Sequence, residues 1–404
     1  MVKKDTDSDS LYLRQANLCG YKSIVNVDIE FQKGLNIIIG KNAAGKTNFL
    51  KFLSKSLLLD YNELNNFSSN LFFKNGKDVS IKVSGNTEFD EIFNNKTLNS
   101  KVDSILTVNG KKIKDKGDKE ATLKEKLIEN NIVLDSTFLC HGLPSDYLIV
   151  DKPFSFNAEK KKLSSDVFNI FRGNSGNPYF LKCLAIDIVL EAYDLESFEI
   201  DNIHVKFNSV FKRIETLKNV LKLYSPIEDI RFSKNYNIFI EENKESFTLN
   251  NLFLEFKIEG NWLPFSNLSD GTKRLFYIIS ELSGYESKKI RPSNNGTYYP
   301  EWEISRIILI EEPELGIHPH QFHKLMEFLK EQAIQKQIII TTHSPQALDA
   351  LDENEFNRII IAFSTKSQEG TKLRHLTEEE LIKANAYIKE DFLSDYWLYS
   401  DLEK

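Results

Sequence analysis

Residues 35–50 have the clearest chemical meaning in this chain: an apolar strand, a G-x-x-x-x-G-K-T loop and the start of a helix. Gly40 and Gly45 allow the loop to fold so tightly that consecutive backbone N–H groups face a polyphosphate at a helix N-terminus. Lys46 is expected to contact the β- and γ-phosphates, and Thr47 to ligate Mg²⁺. The alternative is a glycine turn that matches by chance, but the flanking strand and helix favour a site for ATP or GTP. The predicted nucleotide-binding residues of this P-loop are Gly40, Lys41, Asn42, Ala43, Ala44, Gly45, Lys46, Thr47 and Asn48.

Two adjacent carboxylates, Glu311 and Glu312, follow the apolar residues 307–310. Successive side chains of a strand point to opposite faces, so the two groups can take different roles. We expect Glu311 to hold Mg²⁺, directly or through water, and Glu312 to orient and polarise the attacking water. An isolated Glu-Glu-Pro-Glu could also be a solvated turn. Its combination with a P-loop favours the catalytic interpretation.

His343 follows a second apolar strand at residues 338–341. Ligands of doubly wound folds bind beyond the carboxyl ends of the strands, so His343 is expected at the same edge as the P-loop. A lone histidine is more often structural, but this position favours a switch histidine that contacts the γ-phosphate. The predicted catalytic residues are therefore Lys46, Glu312 and His343.

Composition and charge restrict the class of protein. With 404 residues, 41% of them hydrophobic, the chain can bury a sizeable core. It has no run of 18 apolar residues, and it begins with a polar segment, so we expect a cytoplasmic protein without a membrane span. Three widely spaced cysteines argue against a disulfide framework or a zinc site. The net charge of −7 does not indicate nucleic-acid binding, although a local basic surface would still allow contact with DNA.

Strand and helix patterns predict an α/β fold with a mixed sheet and flanking helices. Strand signals dominate the first and third parts of the chain, whereas the second part is mainly helical, with one apolar helix face at residues 207–224 that we interpret as packing surface. The first and third parts must come together, because the P-loop by itself has no catalytic base. The predicted parts are an N-terminal lobe at 1–85, an inserted helical lid at 86–226, a C-terminal lobe at 227–365 and a C-terminal tail at 366–404.

Four segments, in this order, resemble the ABC-type ATPase heads of the RecF, Rad50 and SMC superfamily. They are 40–47 (the P-loop), 269–271 (Ser-Asp-Gly), 311–319 (Glu-Glu-Pro-Glu-Leu-Gly-Ile-His-Pro) and 341–345 (Thr-Thr-His-Ser-Pro). The last two are similar to the overcoming-lysogenisation-defect (OLD) branch, with Ile317 in place of a leucine. The resemblance covers about 1–85 and 227–365. It implies an ABC-type P-loop ATPase head with an inserted, mainly helical lid region.

The resemblance also implies cofactors, further site residues and a partner. In such heads the signature segment contacts the γ-phosphate across a dimer, so Ser269, Gly271 and Lys273 are expected to act on the ATP of a second copy. An ATP-dependent dimer or larger homo-oligomer follows. Lys22 and Ser23 match the family's opening segment and are expected to approach the nucleotide. Asp270 stands where transporters have glycine, as is common in this branch, and we assign no glutamine to the usual metal-coordinating loop.

The end of the chain resembles stand-alone ATPases of bacterial phage-defence operons, in particular its segment 392–402. Full-length OLD nucleases carry a Toprim domain after the switch histidine. Only residues 344–404 follow His343, and they contain no paired-aspartate motif, so we expect no nuclease activity in this chain. The resemblance therefore implies an ATPase that senses or scaffolds and controls a separate effector. Two alternatives remain: a DNA-repair or DNA-end-processing ATPase that clamps duplex DNA, and a protein that keeps nucleotide as a structural ligand.

Overall fold

The computed structural model describes most of the chain's two ends and parts of its middle. The described residues are 11–61, 64–75, 77–89, 98–113, 122–130, 132, 134–140, 154–159, 199, 201, 203, 214–242, 246–283, 290–292, 298–300, 305–364, 370–389 and 391–400. The chain forms two compact units. The first consists of Met1–Cys140, Trp302–Pro313 and Leu329–Lys404, and the second of His141–Glu301 and Glu314–Phe328.

Strands and helices are numbered here in chain order within the described residues. The strands are β1 (Tyr12–Cys19), β2 (Val27–Glu30), β3 (Leu35–Ile39), β4 (Phe67–Asn75), β5 (Lys77–Phe89), β6 (Leu98–Val108), β7 (Lys111–Lys112), β8 (Leu134–Leu139), β9 (Phe154–Glu159), β10 (Asp229–Phe232), β11 (Asn237–Ile240), β12 (Ser246–Leu252), β13 (Leu254–Ile258), β14 (Asn261–Pro264), β15 (Ile290–Pro292), β16 (Tyr298–Pro300), β17 (Ser305–Glu311), β18 (Gln337–Thr342), β19 (Ile359–Ser364) and β20 (Thr371–His375). The helices are α1 (Lys46–Leu57), α2 (Leu123–Glu129), α3 (Ile214–Tyr224), α4 (Asp270–Leu282), α5 (Pro319–Gln332), α6 (Glu378–Tyr387) and α7 (Leu393–Tyr399). None of these helices is both long and apolar enough to cross a membrane.

The first unit contains a sheet with the strand order β20-β19-β3-β18-β17-β8. Its neighbouring strands are parallel, apart from the antiparallel pair β19 and β20. Every residue of β3 and β18 is buried, as expected for parallel strands that are covered on both faces. The carboxyl ends of β3, β18 and β17 therefore lie side by side at one edge of the sheet.

A second sheet of the same unit is antiparallel, with the strand order β2-β1-β4-β5-β6-β7. In β5, the apolar residues Val79, Ile81 and Val83 are buried, and the polar residues between them are partly or fully exposed. This alternation is typical of an antiparallel sheet with one face on the core. Together, the two sheets and their flanking helices confirm the predicted α/β class.

Gln337 joins the two sheets of the first unit. Its side-chain Oε1 accepts a hydrogen bond from Leu13 N at 2.8 Å, and its Nε2 donates to Leu13 O at 2.8 Å and to Gln32 O at 3.1 Å. The register of β1 against β4 shifts between Leu13 and Gln15. The buried amide of Gln337 thus satisfies backbone groups at an irregularity of β1, where unmade hydrogen bonds would be costly.

The second unit contains smaller antiparallel sheets, with the strand orders β11-β12-β9, β10-β13-β14 and β15-β16. Helices α3 and α4 belong to the same unit. The aromatic rings of Phe256, Phe265 and Phe276 contact one another, with centroids 4.9 to 6.1 Å apart. These contacts pack α4 against β13 and the short 3₁₀ helix Phe265–Asn267. The middle of α4 is therefore held by a buried aromatic cluster.

Five strands lie where the sequence analysis expects other structure. Four of them, β6, β7, β8 and β9, fall within 86–226, the range assigned to the helical lid. The first three belong to the first unit and β9 to the second. β20 falls within the range assigned to the tail and forms an edge of the P-loop sheet. β8 and β20 are edge strands with polar residues, so they lack the continuous apolar run of the central strands. Much of 86–226, including 207–213 of the predicted apolar helix, lies outside the described residues, and the lid itself stays a prediction.

Candidate functional site

The P-loop connects β3 to α1 through backbone conformations that few residues adopt. Ala43 has a φ of 65° and Gly45 a φ of 90°, both in the left-handed region. Gly45 is also the N-cap residue of α1, and it makes no side-chain cap to the first turn. A helix N-terminus of this kind directs backbone N–H groups and the positive end of the helix dipole towards a bound anion.

Close packing beneath the loop also requires glycine at two positions. A Cβ atom on Gly40 would lie 2.1 Å from Ala362 O, and one on Gly45 would lie 1.8 Å from Thr371 Oγ1. Both separations are far below van der Waals contact. The loop therefore sits directly on β19 and on the beginning of β20, and any larger residue at either position would displace it.

Lys46, the first residue of α1, is only 5% exposed. Its Nζ donates hydrogen bonds to Gly40 O at 2.6 Å and to Lys41 O at 3.0 Å. The ammonium group is thus held inside the loop by backbone carbonyl groups. This position brings the positive charge to the centre of the predicted phosphate site, where it can exchange carbonyl partners for phosphate oxygens.

Ser23 accepts hydrogen bonds from α1 and from β20. Asn48 Nδ2 donates to Ser23 Oγ at 2.9 Å, and Thr371 Oγ1 donates to the same oxygen at 2.8 Å. The neighbouring Lys22 has a φ of 51°, and its ammonium lies 5.3 Å from the centre of the Tyr21 ring. The structure therefore places Lys22 and Ser23 beside the P-loop, while their contact with nucleotide stays a prediction.

Thr371 is a site-supporting residue that the sequence analysis missed. It is buried, and besides its side-chain contact its backbone N–H donates to Ser23 O at 2.8 Å. Thr371 belongs to no motif and follows the P-loop by more than 300 residues. Its role depends only on the pairing of β20 with β19.

The two adjacent glutamates end β17 in different environments. Glu311 is the last residue of the strand and is 1% exposed. Glu312 has a φ of 43°, and its backbone N–H donates to Thr341 O at 2.8 Å. A non-glycine residue in this region is strained by about 1–3 kcal/mol and persists only where its surroundings hold it. The two glutamates thus differ in exposure, since Glu311 is buried and Glu312 is partly exposed.

His343 lies beside Glu312 at the end of β18. Its Nδ1 is 3.7 Å from Glu312 Oε1, and both side chains are partly exposed. β18 is the direct neighbour of both β3 and β17, with Thr342 paired to Ile39 and Thr341 paired to Glu311. The structure therefore brings Lys46, Glu311, Glu312 and His343 to one edge of one sheet.

The signature residues belong to the second unit, where Ser269 begins α4. Its Oγ accepts a hydrogen bond from Thr272 N at 3.1 Å, which makes Ser269 the N-cap. The carboxylate of Asp270 is 87% exposed and lies 3.5 Å from Lys273 Nζ. A Cβ atom on Gly271 would lie 2.1 Å from Gly316 O, so glycine is required there by close packing. Ser269 and Asp270 are thus presented on the surface of this unit.

Comparison with known proteins identifies relatives that match large parts of this chain. A family model described as "AAA domain, putative AbiEii toxin, Type IV TA system" matches residues 35–349. The retron Vc95 probable ATPase of Vibrio cholerae is 23% identical, over 89% of this chain and 75% of its own length. The Septu protein PtuA of Bacillus thuringiensis is 22% identical, over 85% and 75% respectively. The DNA double-strand break repair Rad50 ATPase of Methanococcus maripaludis is 24% identical, over 61% of this chain but only 25% of its own length.

Among solved structures, the SMC head bound to the C-winged helix domain of ScpA has a similar fold. Its TM-score is 0.50 at 16% identity, and the match covers 92% of this chain and 99% of the SMC head. These comparisons confirm the predicted ABC-type ATPase fold and the resemblance to defence-system ATPases. The chain belongs to the family of AAA domains described as putative AbiEii toxin, Type IV TA system, and it is an ATPase of the RecF, Rad50 and SMC kind.

Proposed function

We propose that this protein binds ATP with Mg²⁺, hydrolyses it, forms an ATP-dependent homo-oligomer and controls a separate effector in bacterial phage defence. The observation that carries the proposal is the convergence of Lys46, Glu311, Glu312 and His343 at one edge of the parallel sheet. The resemblance to a retron ATPase and to a Septu protein supports the assignment to defence. We place the protein in the cytoplasm, and we assign any nuclease activity to the effector.

The residues of the site fit the binding of a magnesium nucleotide. The P-loop offers backbone N–H groups and the Lys46 ammonium to the phosphates. Thr47 and Glu311 offer hydroxyl and carboxylate oxygens, which are the hard ligands that Mg²⁺ prefers, and would hold the ion. When bound, Mg²⁺ neutralises charge on the phosphates. Phosphoryl transfer requires little more of the protein than this neutralisation and the alignment of the attacking water.

In this proposal Glu312 aligns and activates that water, and His343 contacts the γ-phosphate. The Glu312 carboxylate accepts a hydrogen bond from the water and polarises its O–H bond towards attack on the γ-phosphate. His343, whose Nδ1 lies 3.7 Å from this carboxylate, would donate a hydrogen bond to the γ-phosphate. A charged or polarised donor there stabilises the negative charge of the transition state.

The signature segment is proposed to act on the ATP of a second copy. An isologous contact between two copies places the same surface of each chain against the other. Ser269 and the first turn of α4 are suited to receive a phosphate, because a helix N-terminus combines N–H donors with a favourable dipole. The γ-phosphate would then bind both copies, and hydrolysis would release them.

Ser269→Asp is expected to abolish ATP-dependent association while ATP binding by each monomer remains. Aspartate is as good an N-cap as serine, so α4 should stay stable. The new carboxylate would repel the partner's triphosphate. The measurement is light scattering with ATP, made in a Glu312→Gln background so that hydrolysis does not reverse the association.

Ser269→Asn is the matched control, because asparagine also caps the helix but carries no charge. It should associate nearly as well as the parent. If Ser269→Asp associates normally with ATP, the signature segment is not at the interface, and this part of the proposal is wrong.

One experiment distinguishes effector control from a DNA clamp. Tagged Glu312→Gln protein is captured from its native host, mass spectrometry identifies the bound proteins, and sequencing identifies the bound nucleic acid. We expect a stoichiometric protein encoded beside this gene. The alternative is a DNA clamp, and the similarity to Rad50 is the observation that supports it. Abundant DNA without a protein partner, together with DNA-stimulated turnover and an affinity that falls steeply with salt, would establish that alternative and refute effector control.

A further inference from the structure

Thr341 carries a buried hydroxyl group that the site as described above does not use. The residue is 0% exposed and lies in β18, and its Oγ1 has no hydrogen-bond partner among the residues that the structure describes. An unsatisfied buried hydroxyl costs free energy, whereas valine has the same shape and avoids that cost. Such a group near the carboxyl end of a fully buried strand therefore requires an explanation.

The position of Thr341 in the sheet indicates what the hydroxyl does. Thr341 is the register partner of Glu311 on one side and of Ile38 on the other. Register partners in parallel strands direct their side chains to the same face, and the strands are about 4.8 Å apart. Thr341 and Glu311, whose carboxylate is proposed to hold the metal, thus present their side chains on the same face of neighbouring strands. The backbone O of Thr341 also accepts the hydrogen bond from Glu312 N that holds the turned backbone of Glu312.

We propose that Thr341 is a positioning residue for Glu311, and that its hydroxyl donates a hydrogen bond to the Glu311 carboxylate when magnesium nucleotide is bound. This inference rests on the proposed function of the same site. A carboxylate that ligates a metal is normally oriented by a hydrogen-bond donor behind it, and loss of such a partner lowers metal affinity by about 10- to 100-fold. Thr341 is suited to this role because it is the register partner of Glu311, and because its hydroxyl has no hydrogen-bond partner in the described part of the chain.

Ser136 provides a matched control in the same sheet. It lies in β8, is buried, and its Oγ also has no hydrogen-bond partner among the described residues. Its register partner is Ile307, which lies four residues before Glu311 in β17. Removal of this hydroxyl tests the general effect of an unsatisfied buried group without any change at the edge of the sheet.

The experiment measures the Mg²⁺ dependence of nucleotide binding in a Glu312→Gln background, with a fluorescent ATP analogue as the probe. Thr341→Val removes the hydroxyl and keeps the shape, Thr341→Ser keeps the hydroxyl, and Ser136→Ala is the control. We expect Thr341→Val to raise the half-saturating Mg²⁺ concentration about tenfold. Thr341→Ser should stay within about twofold of the parent, and Ser136→Ala should not change it.

Thermal unfolding without nucleotide provides the second measurement. If the hydroxyl has a purely structural role, Thr341→Val should lower the Tm. Our proposal expects an unchanged or higher Tm, because an unsatisfied group has been removed. An unchanged Mg²⁺ dependence in Thr341→Val, or a loss in Thr341→Ser equal to that in Thr341→Val, would overturn the role of Thr341. If the Glu312→Gln parent itself shows no Mg²⁺-dependent nucleotide binding, the proposed function fails as well.

Discussion

Glu312→Gln is expected to bind ATP about as tightly as the wild type and to hydrolyse it at least about 100-fold more slowly, since general-base or water-orienting groups typically contribute 10²- to 10⁴-fold. The amide keeps the size of the side chain but accepts a proton poorly. The turned backbone at Glu312, held by Thr341 O, should be unaffected because the substitution changes only the side chain. Phosphate release under steady-state conditions and equilibrium nucleotide binding are the two measurements.

Glu314→Gln is the control for this prediction, because Glu314 belongs to the same acidic run but is assigned no role at the site. It should hydrolyse ATP at a rate close to that of the wild type. The Glu312→Gln protein should also accumulate the ATP-bound oligomer, which size-exclusion chromatography would detect. Unchanged turnover in Glu312→Gln, or a large loss in Glu314→Gln alone, would show that the attacking water is oriented by another group.

Lys46→Ala is expected to weaken ATP binding at least about 100-fold, because each hydrogen bond to a charged group contributes about 1.5–3 kcal/mol and the ammonium group can make several with the phosphates. In the structure, this ammonium is buried and held by the carbonyl groups of Gly40 and Lys41. Its removal therefore takes away both the charge and a tie within the loop. Calorimetric titration with ATP and Mg²⁺ would measure the loss.

Two further variants separate these effects of Lys46. Lys46→Met keeps the length and packing of the side chain and should lose ATP binding to a similar extent, with little change in Tm. Lys51→Ala removes a partly exposed lysine from the same helix and should bind ATP normally. Tight ATP binding by both Lys46 variants would refute the assignment of the P-loop.

The candidate site was largely predictable from local sequence because phosphate recognition uses a short loop and the ends of neighbouring strands. The predicted positions at 40–48, 311–312 and 343 lie at the edge of one sheet. The central strands were identifiable because burial on both faces demands a continuous apolar run. The roles of the site residues in binding and hydrolysis stay predictions until the variants above are measured.

Edge strands were harder to predict. β8 contains Asp135, Ser136 and Thr137, and β20 contains Lys372 and Arg374, so neither has the apolar pattern of a central strand. Each pairs with a strand that has a buried apolar run, β8 with β17 and β20 with β19. Tertiary pairing can stabilise a strand whose own sequence is only weakly β-forming, since strand preference depends strongly on context.

The sequence by itself located the predicted phosphate-binding loop, the acidic strand end and the predicted switch histidine, because each is specified within a few consecutive residues. Only the tertiary structure decided which distant groups support them. Thr371 reaches Ser23 because β20 pairs with β19, and Thr341 lies beside Glu311 because β17 and β18 share a register. The physical reason is that hydrogen bonds and packing act over a few ångströms in space, and only the folded chain brings residues from separate segments that close together.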